Sequence, residues 1–258
     1  MRLMKRILSA AAVLALSASL LVGCSSGTAS SVPVSASSAA ESTVSSVEET
    51  ASSAVDENEA AAAQLLNDLT GSYQELWPVI LADEYQQTWL DDCTALVGEE
   101  NAEAAFEKLS SMVTGDVYGE DAVKAYANGG GAYFCGFTNS LAILTFDGET
   151  STISGTDKDG NVLFSHTYHY IGMEPVRGLY EFQSDDADSG EFTYFFLAPD
   201  TSAETYHIEF RYGSDAEALS QYDTGEYAYW LASGISTDCD QTMIDNCIEL
   251  FCTENLAG

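Results

Sequence analysis

The chain has 258 residues and carries 41 acidic against eight basic side chains, a formal net charge of −33 at pH 7. A surface of that charge repels phosphate backbones, which excludes nucleic acid as a partner. Acidity also keeps an exported protein soluble, so the charge alone does not indicate a metal site.

Residues 1–23 have the order of a secretory signal peptide. A basic start precedes an apolar segment from residue 7 to residue 21, shorter than the ~20 residues that a spanning helix needs. The segment Leu21-Val22-Gly23-Cys24 resembles the lipobox of bacterial lipoproteins, in which the chain is cut before a diacylated cysteine. We therefore predict a lipoprotein anchored to the cell membrane through Cys24, on the extracytoplasmic face.

The segment of residues 24–60 is rich in Ser and Ala, lacks aromatic residues and shows no apolar periodicity. It cannot bury enough surface to offset the entropy of ordering, so it is predicted to be a disordered tether and residues 61–258 the folded domain. Lipidation of Cys24 would leave an odd number of cysteines, so at least one stays unpaired even in a compartment that permits disulfides. The five cysteines other than Cys24 are Cys93, Cys135, Cys239, Cys247 and Cys252.

The first third of the domain has apolar residues at helical spacing. A helix is predicted from Tyr73 to Leu81, with Pro78 beginning, ending or kinking it. A second helix is predicted over Ala102–Val113 and a shorter one over Asp121–Tyr126.

After three consecutive glycines at 129–131, short runs rich in β-branched and aromatic residues predict about seven strands. They are Tyr133–Phe137, Leu141–Phe146, Ser151–Thr156, Val162–Ile171, Gly178–Gln183, Phe192–Ala198 and Tyr206–Tyr212. Asp147-Gly148 and Asp159-Gly160 predict hairpin turns. Helical patterns return at 215–221 and 240–251, the latter with an apolar stripe typical of core packing. The sequence thus predicts a mainly β fold, a meandering sheet or barrel with N-terminal helices and a C-terminal helix.

Three histidines, His166, His169 and His207, are available for an imidazole-based site. Side chains alternate along a strand, so His166 and His169 should point to opposite faces, while His207 and Glu209 share one. A His and a Glu two positions apart can both ligate zinc. The alternative is a structural histidine whose ring nitrogens are satisfied by hydrogen bonds.

Other motifs do not complete a site. Two acidic stretches, Asp157–Gly160 and Asp185–Gly190, have the density of oxygen atoms that calcium prefers. Neither completes the twelve-residue calcium-binding loop, so both are predicted to be solvated turns. The three consecutive glycines lack the Lys-Ser/Thr ending of a phosphate-binding loop, and no nucleophile elbow is present. We predict no catalytic residue and expect a protein that is not an enzyme.

Several segments, collinear along the chain, resemble the ZinT (YodA) family. Asp68–Pro78 is similar to the family's opening, and Tyr168–Gly172 resembles its Tyr-x-Tyr-x-Gly strand. Gly178–Phe182 and Asp186–Asp188 resemble its aromatic strand and Asp-Ala-Asp turn. Further similar segments are Leu197–Pro199, Tyr206–Ile208, Ala218-Leu219 and Tyr227–Leu231. The resemblance covers about Leu65 to Leu231.

The resemblance implies a lipocalin-like (calycin) β-barrel with flanking helices and extracytoplasmic zinc binding through three histidines. Residue by residue, these positions are Phe195, Thr205 and His207, so only one of the three ligands is kept. His166 and Phe182 occupy the positions of the family's cysteine pair. Zinc would therefore need Glu209 or another carboxylate, or His166, at the same point as His207.

The leading hypothesis is a lipoprotein with a partly degenerate metal site. Its domain would bind zinc or a related divalent cation through His207, Glu209 and His166 and serve metal uptake or homeostasis. The expected partners are the membrane, through the lipid anchor, and a metal ABC transporter. The alternative is a metal-free lipocalin-like module whose tyrosine-lined mouth binds another small or surface-exposed ligand.

Overall fold

The computed structural model describes residues 57–198 and 207–257. The predicted signal peptide, Cys24 and the predicted tether up to residue 56 lie outside the described residues. Residues 57–68 form a helix, α1. Residues 57–60, predicted as part of the tether, are therefore helical.

Eight strands close into a barrel in which consecutive strands pair antiparallel and the last strand pairs with the first. The strands are β1 (Gly71–Glu75), β2 (Ile143–Asp147), β3 (Thr152–Thr156), β4 (Val162–Met173), β5 (Tyr180–Ser184), β6 (Tyr194–Leu197), β7 (His207–Gly213) and β8 (Ala232–Ser236). The prediction of a lipocalin-like barrel with flanking helices is confirmed. The predicted turns at Asp147-Gly148 and Asp159-Gly160 join β2 to β3 and β3 to β4.

The other helices lie between β1 and β2 and around the end of the domain. They are α2 (Leu76–Ile80), α3 (Gln86–Val97), α4 (Glu99–Val113), α5 (Glu120–Ala127), α6 (Ala216–Leu219) and α7 (Gln241–Leu256). The predictions of α4, α5, α6 and α7 are confirmed. Within residues 57–198 and 207–257, no helix is both long and apolar enough to cross a membrane.

The structure differs from the sequence prediction in two ways at the start of the domain. Tyr73 lies in β1, not in a helix, and pairs with Leu144 and Ser236. The helix begins only at Leu76, so Pro78 falls in its first turn, where no backbone N–H is needed for the helix. Helix α3 was not predicted because it buries only Trp89 and Cys93, a stripe too narrow to recognise.

The predicted strand Tyr133–Phe137 is not a regular strand. Phe134 makes only isolated bridges there, to Thr114 and to Trp230. The eighth strand, β8, was not predicted, because its sequence Ala-Ser-Gly-Ile-Ser has a single β-branched residue, Ile235, and no aromatic one, although all five residues are buried.

Two hydrophobic cores lie on opposite sides of the barrel wall. The interior of the barrel is filled by aromatic side chains that are at most 4% exposed, namely Phe146, Phe164, Tyr168, Phe182, Phe195, Phe210 and Tyr212. The second core lies outside the wall, where α2 packs against β8 and α7, and α7 packs against α3 and α4. Its buried residues include Trp89, Leu109, Ile235 and Ile248. The candidate site lies at the edge of this outer core.

Candidate functional site

His207 and Glu209 lie on the outer face of β7. The alternate residues Ile208 and Phe210 belong to the core of the barrel interior, so the period of two turns His207 and Glu209 outward. The prediction that the two side chains share a face is confirmed by the pocket that both of them line.

A small pocket of about 30 Å³ separates β7 from α2 and α7. Four of its lining residues carry groups that bind metal ions, namely His207, Glu209, Cys247 and Glu254. The others are apolar: Leu76, Trp77, Ile80, Leu250 and Phe251. An imidazole, two carboxylates and a thiol thus line one pocket at the edge of the outer core.

The thiol in this pocket is held in its neutral form. Burial, with the nearby Cys239, Glu209 and Glu254, raises the pKa of Cys247 to about 12. Burial and Glu209 likewise raise the pKa of Cys135 to about 12. The negative charge of Glu209 thus favours the neutral form of both thiols. A cation in the pocket would be needed to draw the proton from Cys247.

The four donors do not converge on one point. Among residues 57–198 and 207–257, no three His, Cys, Asp or Glu side chains are grouped closely enough to hold a metal ion. The donor types nevertheless suit zinc, which takes imidazole nitrogen, carboxylate oxygen and thiolate sulfur. Zinc binding would require at least one of the four side chains to rotate toward the others.

His166 lies elsewhere in the fold. It is on β4, which β5 and β6 separate from β7. Its Nδ1 is 2.7 Å from Oδ2 of Asp186, and its ring lies 5.9 Å from that of Phe164 in the barrel interior. The predicted set of His207, Glu209 and His166 is therefore not assembled in this structure, because the barrel wall puts His166 and His207 on opposite faces.

His169 points away from His166, as the period of two predicts. It is on the exposed face of β4, and its Nδ1 is 2.6 Å from Oδ1 of Asp185. Two neighbouring aspartates thus bind one histidine on each face of the strand. The sequence predicts this acidic turn to be solvated, and neither pair could be predicted, because they join residues 16 and 20 positions apart.

The positions carried over from the ZinT family are also divided by the barrel wall. Phe195 is 0% exposed inside the barrel, with its ring 5.3 Å from that of Tyr212 and 5.4 Å from that of Tyr168. His207 is on the outer face, and Thr205 lies outside the described residues. Phe195 and His207 cannot contact the same ion in this arrangement.

Two residues of the pocket were missed by sequence reasoning. Cys247 was recognised only as part of the apolar stripe of α7, and Glu254 had no signal in the sequence. Both are brought to β7 by the packing of α7 on the outer core. Cys247 and Glu254 could be identified only from the contact between these distant segments of the chain.

A larger groove of about 480 Å³ lies at the junction of β1, α2 and the ends of β2 and β3. It is lined by Glu75, Pro78, Leu141 and Lys158 among others. Oε1 of Glu75 accepts a hydrogen bond of 2.6 Å from the backbone N–H of Phe137, so this carboxylate is fixed in the fold.

No protein-family model and no curated protein matches the chain. Several solved structures are similar to it, among them the following two. The Zn(II)-bound ZinT-like domain of Streptococcus pneumoniae AdcA has a TM-score of 0.44 and 15% identity, over 70% of this chain and 87% of that one. Zn(II)-bound AdcA from Streptococcus pneumoniae has a TM-score of 0.42 and 14% identity, over 72% of this chain and 35% of that one.

Proposed function

We propose that the domain binds zinc or a related divalent cation at the pocket between β7, α2 and α7. The observation that carries this proposal is that His207, Glu209, Cys247 and Glu254 line one small pocket. Three protein ligands are the usual minimum for a held zinc ion. His207 and Glu209 supply two of them from one strand, and Glu254 or Cys247 supplies the third from α7.

Zinc titration of residues 25–258 by calorimetry tests the proposal. We expect one saturable site in wild type and an affinity at least about tenfold lower in His207→Ala, because that change removes the only imidazole of the pocket. The buffer should contain at least 0.15 M salt, since the acidic surface binds cations weakly and salt screens that binding.

Matched variants distinguish zinc binding at the pocket from non-specific binding of zinc by the acidic surface. Glu254→Gln should weaken zinc binding, whereas Glu249→Gln removes the same charge from an exposed position of α7 and should not. His169→Ala, which changes an exposed imidazole, should leave the affinity unchanged. Equal effects of Glu254→Gln and Glu249→Gln would contradict the proposal.

The metal-free alternative has one observation in its favour. The groove beside Glu75 and Lys158 has a volume in the range of small-molecule sites, whereas the barrel interior is filled with aromatic side chains. A titration in which wild type binds no zinc would leave this groove as the better candidate for a ligand site.

We also propose that the domain is held on the extracytoplasmic face of the cell membrane and hands its metal to an uptake system there. The supporting observations are the basic and apolar start of the chain and the segment that resembles a lipobox. The two acyl chains of a diacylated cysteine are sufficient for a stable anchor.

The anchor has a direct test in a bacterial host that exports the full-length chain. Wild type should incorporate an alkyne-labelled fatty acid and sediment with membranes, while Cys24→Ala should lose essentially all of the label. Cys93→Ala is the matched control, since it removes a cysteine of the folded domain and should keep the label. Labelling of Cys24→Ala at the wild-type level would show that the anchor lies elsewhere.

A further inference from the structure

Two cysteines from opposite ends of the domain meet in the outer core. Cys93 is on α3 and Cys252 is on α7, 159 positions later. Both are 0% exposed, and their sulfur atoms are 3.9 Å apart. The helices that carry them pack closely against each other.

The other described cysteines have different surroundings. Sγ of Cys135 lies 3.9 Å from the carbonyl oxygen of Tyr133. Cys247 lines the pocket beside His207, and Cys239 is partly exposed. Cys93 and Cys252 are therefore the one pair among the five described cysteines whose sulfur atoms are in contact with each other. Because five is an odd number, at least one of these cysteines must stay unpaired within the domain.

We propose that Cys93 and Cys252 form a disulfide that ties α3 to α7 when the chain folds outside the cytoplasm. The sulfur atoms must approach from 3.9 Å to ~2.05 Å, a movement of about 2 Å that rotations about the two Cα–Cβ bonds can share. This inference rests on the export of the chain, but not on metal binding.

Formation of this bond needs an oxidant, and a disulfide-carrying protein outside the cytoplasm can supply it by thiol–disulfide exchange. Two S–H bonds break and one S–S bond forms, while two electrons and two protons pass to the oxidant and convert its disulfide to two thiols. Because both sulfur atoms are fully buried in the folded domain, the exchange must take place before α3 and α7 close on each other.

The cross-link would join segments that are far apart in sequence. A bond across so long a loop strongly restricts the unfolded chain, which stabilises the folded state. Reduction of the exported protein should therefore lower its thermal midpoint by about 10 °C.

A peptide map tests the bond directly. Full-length protein exported by a bacterial host is denatured, alkylated without reductant, digested and analysed by mass spectrometry. We expect the peptide of Cys93 to be linked to that of Cys252, and Cys135, Cys239 and Cys247 to be alkylated. Alkylation of both Cys93 and Cys252, or a link from either one to another cysteine, would overturn the proposal.

Thermal unfolding with and without reductant gives an independent measurement. The midpoint of wild type and of Cys247→Ala, which removes another buried cysteine of α7, should fall on reduction, and that of Cys93→Ala should not change. A midpoint of wild type that does not respond to reductant would overturn the proposal. Should Cys93→Ala fail to fold, the peptide map and the wild-type midpoint still decide the question. Because neither depends on zinc, failure here leaves the proposed metal site untouched.

Discussion

Replacement of Arg211 by Met should destabilise the domain by about 3–5 kcal/mol, a large part of the 5–15 kcal/mol that typically separates folded from unfolded protein. Arg211 is one of the largest fully buried side chains and is 0% exposed. It lies on β7 and points to the segment that runs from α6 to β8.

The guanidinium of Arg211 holds that segment by its backbone. It donates hydrogen bonds to the carbonyl oxygens of Leu219 and Tyr227, and both terminal nitrogens lie 3.3 Å from the carbonyl oxygen of Gln221. It also lies 4.4 Å above the ring of Tyr222. Met would leave three carbonyl groups without this donor, and each unsatisfied buried group costs about 1–3 kcal/mol.

Urea unfolding followed by tryptophan fluorescence measures the effect, with Arg177→Met as the matched control. Arg177 also stacks on Tyr222, at 4.2 Å, but its guanidinium donates a hydrogen bond to the hydroxyl of Tyr133, at 3.3 Å, and not to a backbone carbonyl. Its loss should cost about 1 kcal/mol or less. Equal losses for the two variants would show that the carbonyl contacts of Arg211 contribute little.

Replacement of Phe195 by His should destabilise the domain by about 3 kcal/mol or more without creating a zinc site. The change restores the residue type that the ZinT resemblance implies, but at a position inside the barrel. The ring of Phe195 packs against those of Phe164, Tyr168 and Tyr212 at centroid distances of 5.8, 5.4 and 5.3 Å. An imidazole there loses apolar contact and brings polar nitrogens into an aromatic core.

Urea unfolding of this variant with and without zinc checks both parts of the prediction. Phe195→Leu is the control, since it keeps the site apolar and should cost only about 1–2 kcal/mol. Zinc should not raise the midpoint of Phe195→His more than that of wild type. A larger rise, abolished by His207→Ala, would show that the two positions can reach one ion after all.

Much of the fold was predictable because the spacing of apolar residues along a strand or helix shows which of its faces is buried. In β4, Phe164 and Tyr168 alternate with exposed Ser165, Thr167 and His169, since one face of the strand meets the aromatic interior and the other meets water. The same period placed His207 beside Glu209. The helices α4 and α7 were equally clear, because each has one face in the outer core and one in water.

Strands buried on both faces lose that pattern. All five residues of β8 are buried, so no alternation marks the strand. Its small residues have little β propensity of their own, and the hydrogen bonds to β1 and β7 keep it in the sheet. Likewise, β1 continues directly into α2, and the helical spacing of the junction concealed the strand.

The candidate site likewise has a part that the sequence predicts and a part that only the tertiary structure determines. The period of a strand was enough to pair His207 with Glu209, because that relation involves residues two positions apart. The packing of α7 against the barrel wall brought Cys247 and Glu254 to the same pocket, and the closure of the barrel separated His166 and Phe195 from it. These relations join residues tens of positions apart and follow from how surfaces bury one another, which no local pattern in the chain records.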